Sequence, residues 1–144
     1  MRIAFLRSNP INPDVRLEKE IYSLVKAGEE ITALGWDREC IHKKKEKRYI
    51  NGCSYLIYRI RQKASFGGGI KKNFFPLVIF ELKLGCWIWK NRKKYDVIHA
   101  CDFDTALMAF LIGKVTGKKY IYDIFDYYVD CYHVPNNLKG IIEK

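Results

Sequence analysis

The densest cluster of reactive side chains lies in the stretch Tyr95 to Thr105, where His99, Cys101, Asp102 and Asp104 crowd into six positions. An imidazole can move a proton, and carboxylates can accept hydrogen bonds from ligand hydroxyls. Imidazole, thiolate and carboxylate are also all zinc ligand types, but no second cluster stands at a ligand-pair spacing to complete a zinc site. His99 and Asp102 are the catalytic candidates. Asn9, Asp14 and Arg16 near the first loop, with Asp102, Asp104 and Asp126, are the candidates for binding a substrate.

These groups need elements to hold them. Val97 and Ile98 begin a short apolar run that reads as a buried strand, and Thr105 to Ile112 is apolar over a helical length. Alternation places Val97, His99 and Cys101 on one strand face and Ile98 and Ala100 on the other. The polar cluster therefore sits at a strand's carboxyl end just before a helix, with Asp104 or Thr105 placed to cap that helix. In open parallel α/β sheets this rim is where ligands bind.

The chain has 144 residues and reads as one domain, 1–144. Its 49% apolar content excludes a disordered chain, and its net charge of +10 points to an anionic partner. Five cysteines without a Cys-x-x-Cys pair argue for reduced thiols in a cytoplasmic setting. Met1 to Arg7 is too short an apolar run for a signal peptide and reads as a first strand.

In order, Arg2–Arg7 is strand one, and a helix follows with Asn12 as cap and Pro13 at its first position. Leu17, Ile21, Leu24 and Val25 share one helix face, and Gly28 ends it. Glu30–Trp36 is strand two. The first loop lacks Gly-x-Gly-x-x-Gly, which excludes a Rossmann dinucleotide site. Asp37–Arg48 reads as a basic polar loop. Ser54–Arg61 is strand three, with Tyr55, Ile57 and Arg59 on one face. Phe66-Gly67-Gly68-Gly69 lacks the Gly-Lys-Ser/Thr of a P-loop and reads as a flexible connection. The central stretch supplies strand four and a helix ending near Gly117. Lys119–Asp123 is strand five, Ile124–Tyr128 its exit loop, and a last helix begins after Pro135-Asn136-Asn137. This pattern predicts an α/β fold: a doubly wound, Rossmann-like parallel sheet of order 3-2-1-4-5.

Phe75-Pro76 marks a helix start, because the residue before proline avoids helical angles. The following segment to Trp89 is apolar nearly all round, yet too short and too charged to span a bilayer. One reading packs it between the sheet and another element. The other lays it on an anionic membrane surface, with Trp87 and Trp89 at the interface and Lys90, Arg92, Lys93 and Lys94 on headgroups.

Three stretches carry a resemblance. Asp14-Val15-Arg16-Leu17-Glu18-Lys19-Glu20, then Leu24 to Gly28, then Ile31 to Arg38 resemble the opening of family 4 retaining glycosyltransferases of GT-B fold. Asp96 to Thr105 resembles their Asp-Val-x-His-Ala-His-Asp-x-Asp-Thr stretch, and Tyr122-Asp123-Ile124-Phe125-Asp126 their Tyr-Asp-Ser-His-Glu stretch. Cys101 stands where the family has its second His, and Phe125 and Asp126 stand where it has His-Glu. A thiol cannot replace imidazole as a hydrogen-bond partner for a sugar, so the family's catalytic assignment there is not carried over.

The resemblance implies the N-terminal, acceptor-side domain of a transferase moving a sugar from a nucleotide-sugar co-substrate to a glycan or lipid-linked acceptor. Cell-envelope polysaccharide biosynthesis is the setting it suggests. In that family the C-terminal donor-binding domain carries a Glu-x7-Glu segment. No such segment stands here, so the chain reads as truncated and inactive alone. The domain itself is expected to bind no cofactor, and no metal at Asp102-Phe103-Asp104, although Asp-x-Asp holds a metal and a sugar diphosphate in another transferase class. Nucleic acid is not the expected partner. Localisation is expected in the cytoplasm, peripheral on the inner membrane face. The alternatives are a non-catalytic α/β binding module and a membrane-associated scaffold subunit of a two-chain transferase. A response-regulator-like module would need an acidic pair after strand one, where Ser8 and Asn9 stand instead.

Overall fold

The computed structural model describes residues 1–65 and 69–125. Six strands and three helices follow in the order β1 (Arg2–Arg7), α1 (Val15–Lys26), β2 (Glu30–Asp37), β3 (Lys45–Ile50), β4 (Cys53–Arg61), α2 (Gly69–Lys90), β5 (Val97–Ala100), α3 (Phe103–Thr116) and β6 (Lys119–Tyr122). The sheet order is β3-β4-β2-β1-β5-β6. The five expected strands are β1, β2, β4, β5 and β6. They pair in parallel and in the expected order.

The sixth strand is an addition. The end of the expected polar loop, from Lys45 on, belongs to β3, which pairs antiparallel with β4 from Lys45↔Tyr58 to Ile50↔Cys53. Asn51 and Gly52 close the hairpin with φ of 46° and 82°. That left-handed pair is what a tight primed turn needs, and Asn-Gly supplies it with least strain. The strand alternates exposed and half-buried residues, as an edge should, and its charged side chains blunt it against further pairing.

Helix boundaries also shift. Asp14, not Asn12, caps α1, with its Oδ1 accepting from the Leu17 amide at 3.2 Å. Asp102 occupies the N-cap position of α3, while Asp104 lies in the first turn and Thr105 donates its hydroxyl to the Asp102 carbonyl at 3.0 Å. Helix α2 begins at Gly69 and carries Pro76 inside it rather than starting there. A proline within a helix removes one backbone donor and crowds the carbonyl four residues back. Here the chain stays helical on both sides, and Phe80, Leu84 and Ile88 beyond Pro76 lock into the core at one face. Gly28 and Gly117 end their helices at φ of 87° and 68°, as read from sequence.

The sheet separates two cores. On one face α1 brings Leu17 and Ile21 onto Ile3, Phe5, Ile31, Ala33, Tyr55, Ile57 and Cys101. On the other, α2 and α3 cover Ala4, Leu6, Leu34, Trp36, Ile98 and Ala100. Trp36 and Phe80 stack there with centroids 4.4 Å apart. The near-continuous apolar strands β1 and β2 are what a parallel sheet covered on both faces requires. No helix among the described residues is long and apolar enough to cross a membrane.

Candidate functional site

The carboxyl ends of β1 and β5 meet at Arg7 and Cys101–Asp102. Arg7 is the residue the sequence reading passed over. Its guanidinium donates from Nε to Asp14 Oδ2 at 2.5 Å and from Nη1 to Asp102 Oδ1. One cation thus joins the N-cap of α1 to the N-cap of α3. A basic residue ending an otherwise apolar strand, with carboxylates opening both flanking helices, was the available signal.

The remaining carboxylate valences are filled as well. Asp102 Oδ2 accepts from the Ser8 amide at 2.8 Å and its hydroxyl at 3.0 Å. Asp14 Oδ2 accepts from Asn9 Nδ2 at 2.8 Å, and Asn9 Oδ1 takes the Ile11 amide at 2.8 Å. Both aspartates are buried, at 8% and 5% exposure, and buried charges persist only when so partnered. Burial works against the Asp14 carboxylate, but Arg7, Asn9 and the Leu17 amide overcome it and hold the group below its ordinary range. For Asp102, burial wins: the carboxyl is pushed up against the pull of Ser8 and Arg7.

Of the sequence candidates, Asn9, Asp14 and Asp102 therefore come together, around Arg7. Arg16 joins from α1 through Phe125. Its Nη1 donates to the Phe125 carbonyl at 2.7 Å and its guanidinium lies 4.0 Å from the ring centre. Arg7 lies 4.2 Å from the same ring. Asp104 is apart, on the α2–α3 side, where burial raises its carboxyl against the pull of Arg38. Asp126 lies outside the described residues, as do Phe66 to Gly68 of the glycine run, the end of the exit loop and the last expected helix.

His99 stacks on Phe5 with centroids 4.3 Å apart. Burial holds its imidazole below the ordinary value, with Asp123 opposing, so the ring is neutral at pH 7. Its Nε2 is buried, has no hydrogen-bond partner among the described residues, and lies 3.9 Å from Asp123 Oδ2. Glu20 of α1 completes a trio with His99 and Asp123 whose ligand atoms all lie within 4.8 Å of one another. This trio could hold a cation by ligand type, and it spans three elements that no local spacing connects. Cys101 is fully buried, and desolvation pushes its thiol far above the ordinary range. It is a core residue with no thiolate to offer.

The membrane-contact candidates divide. Trp87 is packed, with Tyr58 at 5.3 Å and the α2-side core around it. Trp89 is 42% exposed, and Arg92 folds over it at 4.6 Å while donating to its carbonyl. Lys90, Lys93 and Lys94 are exposed.

No protein-family model matches this sequence, and no curated protein matches it. Solved structures do match by fold. A sucrose-phosphate synthase from Thermosynechococcus elongatus superposes with a TM-score of 0.64 at 12% identity, covering 99% of this chain and 39% of that one. MurG from Acinetobacter baumannii gives a TM-score of 0.50 at 12% identity, over 85% of this chain and 35% of that one. Both are GT-B glycosyltransferases, and this chain has the Rossmann-like fold of one half of that architecture. The C-terminal domain of a hydrogenase from Pyrococcus furiosus matches at 0.58 and 11% identity, with 85% of this chain and 91% of that domain covered. The chain thus spans well under half the length of either transferase.

Proposed function

We propose that this chain is the acceptor-binding half of a retaining glycosyltransferase that uses a nucleotide-sugar donor and a glycan or lipid-linked acceptor. One observation carries the reading: the rim where β1 and β5 end is a preorganised polar wall, braced by Arg7, in a fold shared with two glycosyltransferases.

Transfer asks two things of an enzyme. The acceptor hydroxyl must be positioned, and the departing diphosphate must be stabilised. In this reading the second task belongs to a C-terminal donor-binding domain. For the first, Arg7, Asp14 and Asp102 are already satisfied by each other and serve as a rigid frame. Glu20 and Asp123, half-buried beside that frame, meet acceptor hydroxyls, together with the lone pairs and N–H that Ser8 and Asn9 do not spend on Asp102, Asp14 and Ile11. His99, neutral and behind them, presents an Nε2 with hydrogen-bonding capacity to spare.

The test is protein-observed NMR on this chain. Acceptor-type saccharides are expected to shift the amides of Ser8, Asn9 and Phe103, while UDP- and GDP-sugars bind no better than millimolar. Micromolar binding of a nucleotide sugar, or saccharide shifts confined elsewhere, overturns the assignment.

Peripheral membrane attachment on the cytoplasmic face is part of this reading. Phe75, Val78, Ile79, Leu82 and Trp89 form an exposed stripe along α2, beside Lys83 and Lys90. A solvent-facing apolar stripe with flanking cations suits an anionic bilayer surface. A second reading is a non-catalytic α/β binding module, because the same fold also occurs outside glycosyltransferases, in the hydrogenase domain. In that case no saccharide perturbs the rim. A scaffold subunit of a two-chain transferase would instead bind the vesicle surface but no saccharide.

A further inference from the structure

On the α2 side of the same rim lies a cavity of about 480 Å³ lined by Arg38, Glu39, Lys63, Ser65, Lys72 and Asn73, among others. Its walls are the exits of β2 and β4 and the first turns of α2. Those parts are tied together. The Gln62 amide donates to the Asp37 carbonyl and the Ala64 amide to the Arg38 carbonyl, each at 3.3 Å. Asn73 grips Ser65 reciprocally, accepting from its amide at 3.0 Å and donating to its carbonyl at 2.8 Å. Asn73 is therefore a strut, which sets the distance between the β4 exit and α2.

Three cations face this space against one carboxylate, Glu39. Lys63 and Lys72 are exposed and have no hydrogen-bond or ion-pair partner among the described residues. Like charges do not gather at one cavity for stability, because each raises the cost of the next. The first turn of α2 contains no acidic residue, so the positive end of its dipole adds to the same field. Arg38 stacks over Trp36 at 4.2 Å, which fixes the plane of a guanidinium suited to paired phosphate oxygens. The volume exceeds that of a phosphate alone and has room for an attached sugar or a second phosphate.

We propose that this cavity binds the phosphate or diphosphate group of the acceptor, with Arg38, Lys63 and Lys72 as its contacts. That the bound phosphate belongs to an acceptor rests on the acceptor-half reading, but the anion site itself stands on the cavity. Arg38 draws on Asp104 in the first turn of α3, the helix whose N-cap Asp102 belongs to the rim described above. A phosphate held here would leave the rest of an acceptor running along the carboxyl ends of the strands.

The experiment titrates inorganic pyrophosphate into the chain at physiological salt, followed by amide shifts. Saturable binding at millimolar concentration or tighter is expected, centred on residues 62–65 and 72–76. Lys63→Glu/Lys72→Glu is expected to weaken it at least tenfold, and Lys93→Glu/Lys94→Glu, at the far end of α2, less than twofold. Should the first variant fail to fold by its thermal melt, Lys63→Gln/Lys72→Gln gives the same reading. Absent binding, or equal loss in both double variants, overturns the proposal. Phosphatidylglycerol vesicles separate the sources. Vesicle binding lost in Lys63→Glu/Lys72→Glu assigns a lipid-borne phosphate, whereas vesicle binding untouched by it assigns a soluble one. Because pyrophosphate binding needs no sugar transfer, its failure leaves the transferase reading intact. A saccharide that fails to meet the Ser8–Asn9 rim likewise leaves the anion site intact.

Discussion

Arg16 holds Phe125 at two points: its Nη1 donates to the backbone carbonyl at 2.7 Å and its guanidinium plane covers the ring at 4.0 Å. Arg7 lies 4.2 Å from the same ring, so Phe125 is clasped by two cations. An aromatic ring attracts both without adding a charge of its own. This accounts for a phenyl group at this position. An ionised ring between two guanidinium groups would be repelled.

Removing that ring is expected to loosen the rim more than the core. Phe125→Leu keeps most of the apolar volume but abolishes both cation–π contacts, each worth about 0.5–2 kcal/mol. Urea unfolding should show a loss of about 1–3 kcal/mol, with faster amide exchange at Ser8 and Asn9. An unchanged exchange rate would show that the ring does not brace the rim.

Arg7→Met should be far more damaging, because it leaves Asp14 and Asp102 buried with one partner fewer each. Breaking a buried ion pair from one side costs about 3–5 kcal/mol. The double variant Arg7→Met/Asp102→Asn should recover part of this. If the double loses as much as the two single changes summed, the bridge carries no coupling energy.

Glu81 predicts a pH dependence. It is buried at 8% exposure with neither oxygen hydrogen-bonded among the described residues, and burial, with Asp104 adding repulsion, pushes its carboxyl up to about 8. Between the unfolded carboxyl's ordinary value and about 8, the folded state holds a proton that the unfolded state has released. Stability therefore falls as pH rises through that window and levels off above it. Glu81→Gln should flatten the slope and raise stability at pH 8 by roughly 1–3 kcal/mol, since each tenfold change in proton affinity between the two states is worth about 1.4 kcal/mol. Denaturant midpoints from pH 5 to pH 9 check this, and an identical slope in the variant refutes it.

Gly35→Ala tests how closely the first loop is laid on β2. A methyl group there would stand 2.6 Å from the Asn9 carbonyl oxygen, which also accepts from the Trp36 amide at 2.8 Å. The contact is backbone and cannot rotate away, so the loop must lift. A cost of about 1–3 kcal/mol is expected, as for overpacked cores. The Trp36 amide should then lose protection from hydrogen exchange. A variant as stable as the parent, with that amide still protected, would mean the loop shifts freely.

For the bilayer, co-sedimentation with anionic vesicles is expected at low salt and weakened at high salt, since each surface cation contributes about 1 kcal/mol at most. Lys93→Glu/Lys94→Glu should weaken it further. Trp89→Ala should reduce the salt-resistant part, and Trp87→Phe should not, because Trp87 is packed on Tyr58. No sedimentation at low salt removes the membrane reading.

The amino-acid sequence by itself determined the parallel five-strand core and its order. Apolar runs such as Ile3 to Leu6 and Ile31 to Leu34 are buried on both faces, and the glycines ending α1 and α3 are legible from chain-local chemistry. It also placed Cys101 and His99 on one strand face through simple alternation, and the fold turns that face to α1. Strand β3 is marked in the sequence by Asn51-Gly52, a strong hairpin signal, but its lysine-rich edge has the composition of a solvated loop. Pro76 misled for a related reason: a local steric preference yields when Phe80, Leu84 and Ile88 are held by packing. What the tertiary structure alone decided is the site. Arg7 meets Asp102 across 95 positions of chain, Glu20 meets His99 and Asp123, and Lys63 and Arg38 line one cavity from two loop exits. Such pairings depend on which strand ends lie side by side in the sheet, and sequence spacing carries no record of that.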